Sequence, residues 1–191
     1  MKSATRKRRI EFLRGRYCAQ MAAEKLTGMK VSGIGINHDR SPQWPSGIVG
    51  SISHTGTFAC AAVSNDYKLA GLGIDVEQKF EEEIVRQVEE EIVLPSEMRM
   101  YESFFKNDLE YREYVTLIFS AKESVFKCLH PLTGTFFGFS DASIISVDFA
   151  GRSFKFRLLK RLGCGYDHGF EYYGRFHVWK NHVFTSVELQ K

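Results

Sequence analysis

The chain has 191 residues, 43% of them hydrophobic, and a formal net charge of +3 at pH 7. This length, together with 16 Phe and 8 Tyr, is enough for a packed core and excludes a disordered chain. The small net charge differs from that of dedicated nucleic-acid-binding proteins, so we expect no nucleic-acid partner.

The cysteines and the hydropathy pattern bear on the compartment. None of the four cysteines belongs to a C-x-x-C pair, which argues against zinc and redox motifs and favours free thiols in a reducing cytoplasm (Cys18, Cys60, Cys128 and Cys164). No apolar run reaches membrane-spanning length, and the first residues lack the apolar core of a secretory signal. We therefore expect a soluble cytoplasmic protein that does not bind membranes.

The first predicted element is a helix over about residues 7–27, followed by Gly28 as a stop signal. Its evidence is a run of apolar residues at three- and four-residue intervals, namely Ile10, Leu13, Tyr17 and Met21. The helix begins with the basic run Lys7-Arg8-Arg9, and Arg9 and Arg16 lie on one face because they are seven residues apart. That face is either solvated or a place where an anionic ligand is attracted.

A loop rich in Gly, Asn, Ser and Pro over residues 31–47 separates this helix from three predicted strands. The strands cover residues 48–52, 58–64 and 69–77, with a turn at Ser53–Gly56 between the first two. A second turn at Asn65-Asp66 makes the third strand the return strand of an antiparallel pair.

The second half of the chain changes from helices to strands. Helices are predicted over 80–93, 96–105 and 110–129, the first from the stripe Phe80, Ile84, Val88 and Ile92, and the last ending before Pro131 and Gly134. Alternating apolar and polar residues then predict strands over 144–149, 154–159, 172–178 and 183–189. The order indicates an α+β fold with two similar lobes that meet near residue 78.

The run Gly73-Ile74-Asp75-Val76-Glu77 brings two carboxylates together. Side chains alternate along a strand, so Asp75 and Glu77 project to the same side. Two neighbouring acids are unfavourable unless a cation lies between them, and oxygen ligands of this kind suit Mg²⁺ or Mn²⁺. The alternative is an exposed strand end with two solvated acids.

A second cluster of ionisable groups lies in Phe119–Lys127. On a helix, Glu123 and Lys127 are four residues apart and share a face. Two structural alternatives apply, because Ser120-x-x-Glu123 is a capping-box pattern and Glu123 with Lys127 is an ordinary ion pair. Combined with Asp75 and Glu77, however, Glu123 would complete a group of three carboxylates with a lysine one turn away.

The pair Ser53-His54 comes at the end of a predicted strand. A hydroxyl, an imidazole and nearby backbone N–H groups there could bind an anion. A Ser-His nucleophile is disfavoured, because adjacent residues on a strand diverge. A structural histidine is the alternative.

These motifs resemble the signature pair of the 4′-phosphopantetheinyl transferases, at residues 73–77 and 119–127. Three upstream motifs resemble the subgroup that serves siderophore and other nonribosomal peptide synthetases, the enterobactin-synthase-component type. They are Arg9-x-Glu11-Phe12-Leu13-x-Gly15-Arg16, Arg40-x-Pro42-x-Trp44-Pro45-x-Gly47 and Gly50-Ser51-Ile52-Ser53-His54-Thr55. The resemblance implies two similar α+β lobes that form a pseudo-dimer within one monomeric chain, over about 1–78 and 79–191.

The resemblance also implies an activity and site residues. The activity is transfer of the phosphopantetheine arm of coenzyme A to a serine of an apo carrier protein, with release of adenosine 3′,5′-bisphosphate. Asp75, Glu77 and Glu123 would bind the metal ion, and Glu123 would also act as the base that takes the proton of the carrier serine. Lys127 would stabilise phosphate charge, and coenzyme A would contact Asp75, Lys127, Arg9, Arg16, Arg40, Ser53 and His54.

The partner implied by the resemblance is a carrier domain of a nonribosomal peptide or siderophore synthetase. Carrier proteins present an acidic helix beside the modified serine, so Lys106 and Arg112, in the segment 80–118, are candidate contacts.

Two other functions remain open from the residues alone. Asp75, Glu77 and Lys79 form a D-x-E-x-K spacing like that of metal-dependent nucleases, with all three side chains on one strand face. The weak net charge and the unused segment 119–127 argue against it. A non-catalytic module that binds carrier proteins or nucleotides would leave the clustered acids without a purpose.

Overall fold

The amino-terminal part of the chain packs one long helix against a two-stranded sheet. The structure, a computed structural model, describes residues 6–56, 58–107 and 109–191, and the side chain of Lys7 in the basic run lies outside this description. The elements of this part are α1 (Arg6–Thr27), β1 (Gly35–Ile36), β2 (Pro42–Gln43), β3 (Val49–Thr55) and β4 (Phe58–Ser64).

Helix α1 confirms the prediction of a helix but buries a different face from the apolar stripe. The residues packed inside are small, Gly15, Ala19 and Ala23, and a Cβ on Gly15 would lie 2.8 Å from Ile52 Cγ2. The predicted stripe is exposed instead, by 39, 61, 64 and 46% for Ile10, Leu13, Tyr17 and Met21. Close approach to the sheet requires small side chains, so the large ones face outward.

Strand β3 is longer than predicted. It runs to Thr55, so Ser53 and His54 are paired with Cys60 and Ala59 of β4 and do not form the turn. The chain reverses after Thr55, where Gly56 has a φ of +40° that suits glycine. This extension places the Ser53 side chain in the interior, with only 3% exposure.

The second part of the chain forms three helices and a five-stranded antiparallel sheet. Strand β5 (Leu69–Gln78) carries the Asp-x-Glu pair and precedes the others, which are α2 (Glu82–Ile92), α3 (Pro95–Phe104), α4 (Tyr111–Thr133), β6 (Ala142–Asp148), β7 (Ser153–Leu158), β8 (Glu171–Trp179) and β9 (His182–Gln190). A short 3-10 helix, Phe139–Asp141, precedes β6. The strand order is β5-β9-β8-β7-β6, which confirms the predicted mixed α+β class.

The partner of β5 differs from the prediction. The strand is antiparallel as expected, but it pairs with β9 and not with β4. On its other edge, Ile74 N donates to Ser51 Oγ at 3.0 Å, and Val76 N donates to Ser53 Oγ at 3.2 Å. Serine hydroxyls of β3 therefore replace a backbone ladder where the two parts of the chain meet. The division into lobes at residue 78 stays a prediction.

Helix α4 lies across β5 and β9 and contributes much of the core. It continues through Pro131, which was predicted to end it, and stops at Gly134 with a φ of +63°. Proline there removes one backbone donor in the last turn, which the helix tolerates before the left-handed glycine. Within the described residues, no helix has both the length and the apolar character needed to cross a membrane.

Close contact between α4 and β5 leads to a first prediction, on Gly73. A Cβ at this position would clash with the backbone oxygen of Ser124 and lie 2.6 Å from Cys128 N. Because backbone atoms cannot rotate away, Gly73→Ala is expected to lower the free energy of unfolding by about 3 kcal/mol or more. Urea unfolding followed by circular dichroism measures this loss.

The matched control is Gly138→Ala, since a Cβ at Gly138 meets no atom within 4 Å and its φ is −107°. This variant is expected to unfold like the wild type. Equal stability of the two variants would contradict the tight packing between α4 and β5.

Candidate active site

Asp75 is the centre of the polar network between β3, β5 and α4. Its carboxylate is 3% exposed, and its Oδ1 accepts hydrogen bonds from Ser53 Oγ at 2.7 Å and Lys127 Nζ at 2.6 Å. Lys127 Nζ also donates to Ser53 Oγ at 3.2 Å. The Ser53 hydroxyl thus donates to Asp75 and accepts from Val76 and Lys127, which uses its full capacity.

The second carboxylate oxygen of Asp75 has an unusual environment. Oδ2 is buried, and none of the described residues donates a hydrogen bond to it. A buried carboxylate oxygen without a partner is costly. It therefore marks a place where an additional positive group would be favourable.

Glu77 and Glu123 are the two other predicted carboxylates, and both feel the charge of Asp75. Burial is the main cause that raises the pKa of Glu77 to about 8, with further contributions from Asp75 and Glu123 that exceed the effect of Lys127. Burial also raises the pKa of Glu123, an effect that Lys127 opposes and Asp75 reinforces. The three acids share one region of negative potential.

The helix bounds and the ion pair of Lys127 argue against both structural alternatives for the segment 119–127. Ser120 and Glu123 lie in the middle of α4, nine residues or more from its start at Tyr111, so they do not cap a helix. Lys127 forms its ion pair with Asp75 and not with Glu123. The second motif is thus joined to the first by a direct contact.

The predicted nucleotide-binding residues lie at the edges of this network. His54 is exposed on β3, next to Ser53, and Arg40 is exposed in the turn between β1 and β2, with a φ of +70°. Asp39 Oδ2 in that turn is 3.9 Å from His130 Nδ1, three residues beyond Lys127 on α4. The Arg40 turn therefore lies beside the same end of α4 as Lys127.

Arg9 and Arg16 have different surroundings, although they share a helix. Arg16 Nη1 donates to the carbonyl of Gly35, and its guanidinium lies 5.0 Å from the centre of the Phe12 ring. Burial lowers the pKa of Arg16 from its usual value. Arg9 is exposed in the first part of α1. Arg16 thus has a structural contact in addition to any part in ligand binding.

Lys79 of the nuclease alternative and the two predicted carrier contacts, Lys106 and Arg112, are found near the start of α4. Lys79 Nζ forms an ion pair with Glu113 at 3.0 Å, so the third group of the nuclease spacing is engaged by α4. Arg112 Nε is 2.8 Å from Glu110 Oε2, and Lys106 is exposed. The carrier contacts at Lys106 and Arg112 stay a prediction.

Several polar residues near the site were not anticipated. Lys122, directly before Glu123, is 3% exposed and pairs with the fully buried Glu97 of α3 at 2.9 Å. Ser120 and Thr185 link α4 to β9 through their hydroxyls at 2.9 Å. The only sequence signal for Lys122 was its place in the second motif, because its partner is 25 residues away.

One cavity lies beside the site, and it is smaller than another that lies elsewhere. It has a volume of about 120 Å³ and is lined by Glu123, Lys122 and a set of aromatic residues that includes Phe126, Phe136 and Phe139. The larger, about 670 Å³, lies between α3 and β6 and contains none of the predicted site residues. Volume alone would therefore have located the wrong surface.

The chemistry of the donor set fits a divalent cation in part. Among residues 6–56, 58–107 and 109–191, no three Asp, Glu, His or Cys side chains form a group ready to hold a metal ion. The unpartnered Asp75 Oδ2 and the raised pKa of Glu77 are nevertheless both features that a bound cation would relieve. Hard oxygen donors of this type are the ligands that Mg²⁺ and Mn²⁺ prefer.

Comparisons with known proteins agree with the two motifs. Residues 1–64 match the 4′-phosphopantetheinyl transferase N-terminal domain, and residues 71–185 match the 4′-phosphopantetheinyl transferase superfamily. Enterobactin synthase component D of Escherichia coli K12 is 38% identical over 146 residues, or 76% of this chain and 66% of that protein.

Two further relatives carry transferase names. The 4′-phosphopantetheinyl transferase Svp of Streptomyces mobaraensis is 36% identical over 158 residues, which cover 82% of this chain and 61% of that protein. The 4′-phosphopantetheinyl transferase Npt of Nocardia iowensis is 33% identical over 138 residues, covering 72% and 59%. The matches thus span slightly less than two thirds of the relatives' own length. With both family matches in chain order, the chain belongs to the 4′-phosphopantetheinyl transferase superfamily.

Proposed function

We propose that this chain transfers the 4′-phosphopantetheine arm of coenzyme A to a serine hydroxyl of an apo carrier protein. The observation that carries the proposal is the buried Asp75 carboxylate, which joins the Gly73–Glu77 strand to Lys127 of α4 and leaves one oxygen unpartnered. The names of the relatives, all 4′-phosphopantetheinyl transferases or enterobactin synthase components, support it.

The reaction is a phosphoryl transfer. The serine oxygen of the carrier attacks the phosphorus that bears the pantetheine, and a new P–O bond forms. The bond from this phosphorus to the bridging oxygen breaks, and adenosine 3′,5′-bisphosphate leaves with that oxygen. The serine proton passes to a base. Such a transfer depends on positioning and charge neutralisation more than on covalent help.

Three residues of this chain have parts in that step. Glu123, beside the small cavity, would take the serine proton, either directly or through a water molecule. Lys127 would place its ammonium group against the phosphates, where negative charge develops. Asp75 and Ser53 hold Lys127 by the contacts described above, which fixes the position of its ammonium group.

The metal residues are Asp75, Glu77 and Glu123 in this proposal. Mg²⁺, with Mn²⁺ as a substitute, would neutralise pyrophosphate charge when bound. The contribution of the protein is three carboxylates already in one electrostatic environment, one of them with an unpartnered buried oxygen.

The nucleotide end of coenzyme A would lie along β3 and the Arg40 turn. His54 and Arg40 are exposed and available for the 3′-phosphate, with Arg9 and Arg16 as further contacts on α1. Ser53 already uses its hydroxyl hydrogen for Asp75, so its main effect would be through Asp75 and Lys127. Asp75 would approach the coenzyme through the cation.

The finer features of the proposal concern the biological setting. We place the enzyme in the cytoplasm as a monomer, acting on carrier domains of a nonribosomal peptide or siderophore synthetase. The support is the enterobactin name of relatives such as the E. coli K12 protein.

The decisive assay combines the protein, coenzyme A, Mg²⁺ and several apo carrier domains, read by intact-mass spectrometry. The expected result is a gain of one phosphopantetheine group on at least one carrier, absent when its serine is changed to alanine. Cleavage of DNA with no carrier modified would favour the nuclease. Binding of coenzyme A with neither activity would favour a non-catalytic module.

Metal dependence is a second prediction from the same assay. Removal of divalent ions with EDTA is expected to abolish transfer, because three carboxylates then surround the pyrophosphate without a neutralising charge. Added Mg²⁺ or Mn²⁺ should restore it, while Ca²⁺, with its longer and looser coordination, should restore less. Full activity in EDTA would contradict the metal assignment.

A further inference from the structure

The buried ion pair between Lys122 and Glu97 joins five separate elements directly beside Glu123. Lys122 Nζ donates to the carbonyl of Ile92 at 2.7 Å, to Glu97 Oε2 at 2.9 Å and to the carbonyl of Phe139 at 2.9 Å. Glu97 in turn accepts from the backbone N–H groups of Leu94 and Ile144, both at 2.7 Å. The pair thus connects α4 with the end of α2, with α3, with the 3-10 helix and with β6.

Stability alone is a poor reason for such a pair. The side chains of Lys122 and Glu97 are 2% and 0% exposed, and they are surrounded by the apolar core. The desolvation of two charges offsets much of their attraction, and apolar residues of similar volume often replace buried pairs without loss. A charged network adds a defined geometry, because its hydrogen bonds are satisfied in only one arrangement of the side chains and the elements that carry them.

The fixed geometry of these hydrogen bonds matters because Glu123 directly follows Lys122 in the helix. Glu123 lies in the middle of the same helix, so the position of its carboxylate depends on the placement of α4 itself. Successive residues on a helix are turned by about 100°, so Lys122 and Glu123 point to different sides. A rotation of α4 that moved Lys122 would therefore move Glu123 as well.

The polar contacts of α4 lie on two sides of the helix. Ser120 bonds to Thr185, and Lys127 bonds to Asp75, and both contacts are toward the sheet. On the other side, Lys122 bonds toward α2, α3 and the 3-10 helix, and Tyr114, near the start of α4, donates its hydroxyl to the carbonyl of Glu97 at 2.7 Å. Lys122 is the charged contact on this second side and the one that directly precedes Glu123.

We infer that Lys122 and Glu97 are positioning residues that fix the rotation of α4 about its axis, and with it the aim of Glu123 and Lys127 at the reacting phosphate. This inference rests on the proposed function. Phe139, whose carbonyl binds Lys122, also lines the small cavity beside Glu123, so the pair shapes the wall against which a substrate would lie.

The test is the double variant Glu97→Leu/Lys122→Met, which removes both charges and keeps similar volume. It is expected to fold cooperatively but to melt below the wild type, because no charge is left unpaired in the interior while the backbone groups that bonded to the pair lose their partners. Its kcat for carrier modification should fall about 10- to 100-fold, as for other residues that orient reactive groups, with KM and Kd for coenzyme A within about twofold.

If the pair only stabilised the fold, its removal would leave the kcat of the folded protein unchanged. A double variant that folds cooperatively and has a normal kcat would overturn the inference, as would a loss in which only KM or the Kd for coenzyme A changed. If the wild type itself modifies no carrier, the proposed function fails, and this inference, which rests on it, fails with it; an active wild type with a fully active double variant overturns the inference alone.

A second variant covers the case in which the first does not fold. Glu97→Gln/Lys122→Met keeps an acceptor for the N–H groups of Leu94 and Ile144 while both charges are removed. The same fall in kcat is expected. The control Lys155→Met removes a lysine on β7 that pairs with Glu171 of β8 and has no contact with the site residues described above. It should leave kcat unchanged.

Discussion

Replacement of Asp75 by alanine is expected to reduce carrier modification by at least about 100- to 1,000-fold, the loss seen when one group that stabilises developing charge is removed. The carboxylate is the point at which β3, β5 and α4 meet, and its buried Oδ2 has no hydrogen-bond partner among the described residues. Its loss would remove one of the proposed metal ligands and release Lys127 in the same step. Intact-mass kinetics with coenzyme A and Mg²⁺ measure the effect.

The fold should survive this change. Lys127 is 25% exposed in its side chain, so its ammonium group can reach water when Asp75 is absent. Ser53 loses its acceptor, at a cost of about 1–3 kcal/mol, but Val76 N still donates to it. A single cooperative unfolding transition is expected, which separates loss of catalysis from loss of structure.

Two companion variants sharpen the result. Asp75→Asn keeps the size of the side chain without its charge, and we expect it to be nearly as inactive as the alanine variant. Asp167→Ala removes an exposed carboxylate that pairs with Arg161 and should retain full activity. Full transfer by the Asp75→Ala protein would refute both the metal assignment and the part of Asp75 in positioning Lys127.

The polar site could be predicted from the sequence wherever it depended on local geometry. The two-residue period of a strand was enough to place Asp75 and Glu77 on one face, because that period holds in any sheet. The structure adds that this face looks toward α4, where Lys127 meets Asp75. Local periodicity alone could not supply that contact, since 52 residues separate the two.

Strand partners and buried helix faces were harder to predict. β5 was expected beside β4, its neighbour in sequence, but it pairs with β9 at the far end of the chain. Such pairings depend on how the whole sheet is covered, which no short window contains. Helix α1 has small apolar residues on one side and large ones on the other, so hydrophobicity alone did not decide which side is buried.

The capping-box alternative for the second motif was wrong because the motif lies inside its helix and not at the start, as the predicted helix over 110–129 already implied. A capping box at Ser120 requires a helix start there, whereas α4 starts at Tyr111. Ser120 is instead fully buried and bonded to Thr185. Lys122 of the same motif would ordinarily be placed in solvent, because lysine is almost never fully buried unless it is paired.

Lys122→Met alone is expected to be the most destabilising single change at this site, with a loss of about 3–5 kcal/mol in the free energy of unfolding. The reason is the partner it leaves behind. Glu97 is fully buried and would be left without a cation, so folding would hold either an unpaired charge or a proton that the unfolded chain releases, and the carbonyls of Ile92 and Phe139 would lose their donor. Since a domain is stable by only about 5–15 kcal/mol, urea unfolding should reveal a greatly lowered midpoint.

The matched control for this change is Lys155→Met. Lys155 pairs with Glu171, but both side chains are more than a quarter exposed, and Glu171 keeps a second partner in Arg157. Nothing is left buried and unpaired, so the midpoint of urea unfolding is expected to stay close to that of the wild type. Equal losses in the two variants would contradict the assignment of Lys122 to a buried, charge-paired position.

The pH dependence of the Lys122→Met variant gives an independent check. Burial already raises the pKa of Glu97 above its ordinary value of 4.5 in the intact pair, and removal of Lys122 takes away the main opposing charge. A carboxyl whose pKa is raised by folding lowers the stability of the folded state as the pH rises above its unfolded value, because the unfolded chain then releases the proton while the folded interior still holds it. The deficit relative to the wild type should therefore shrink as the pH falls toward 4.5 and grow toward neutral pH. A deficit that stayed constant over this range would mean that the loss comes from packing and not from an uncompensated charge on Glu97.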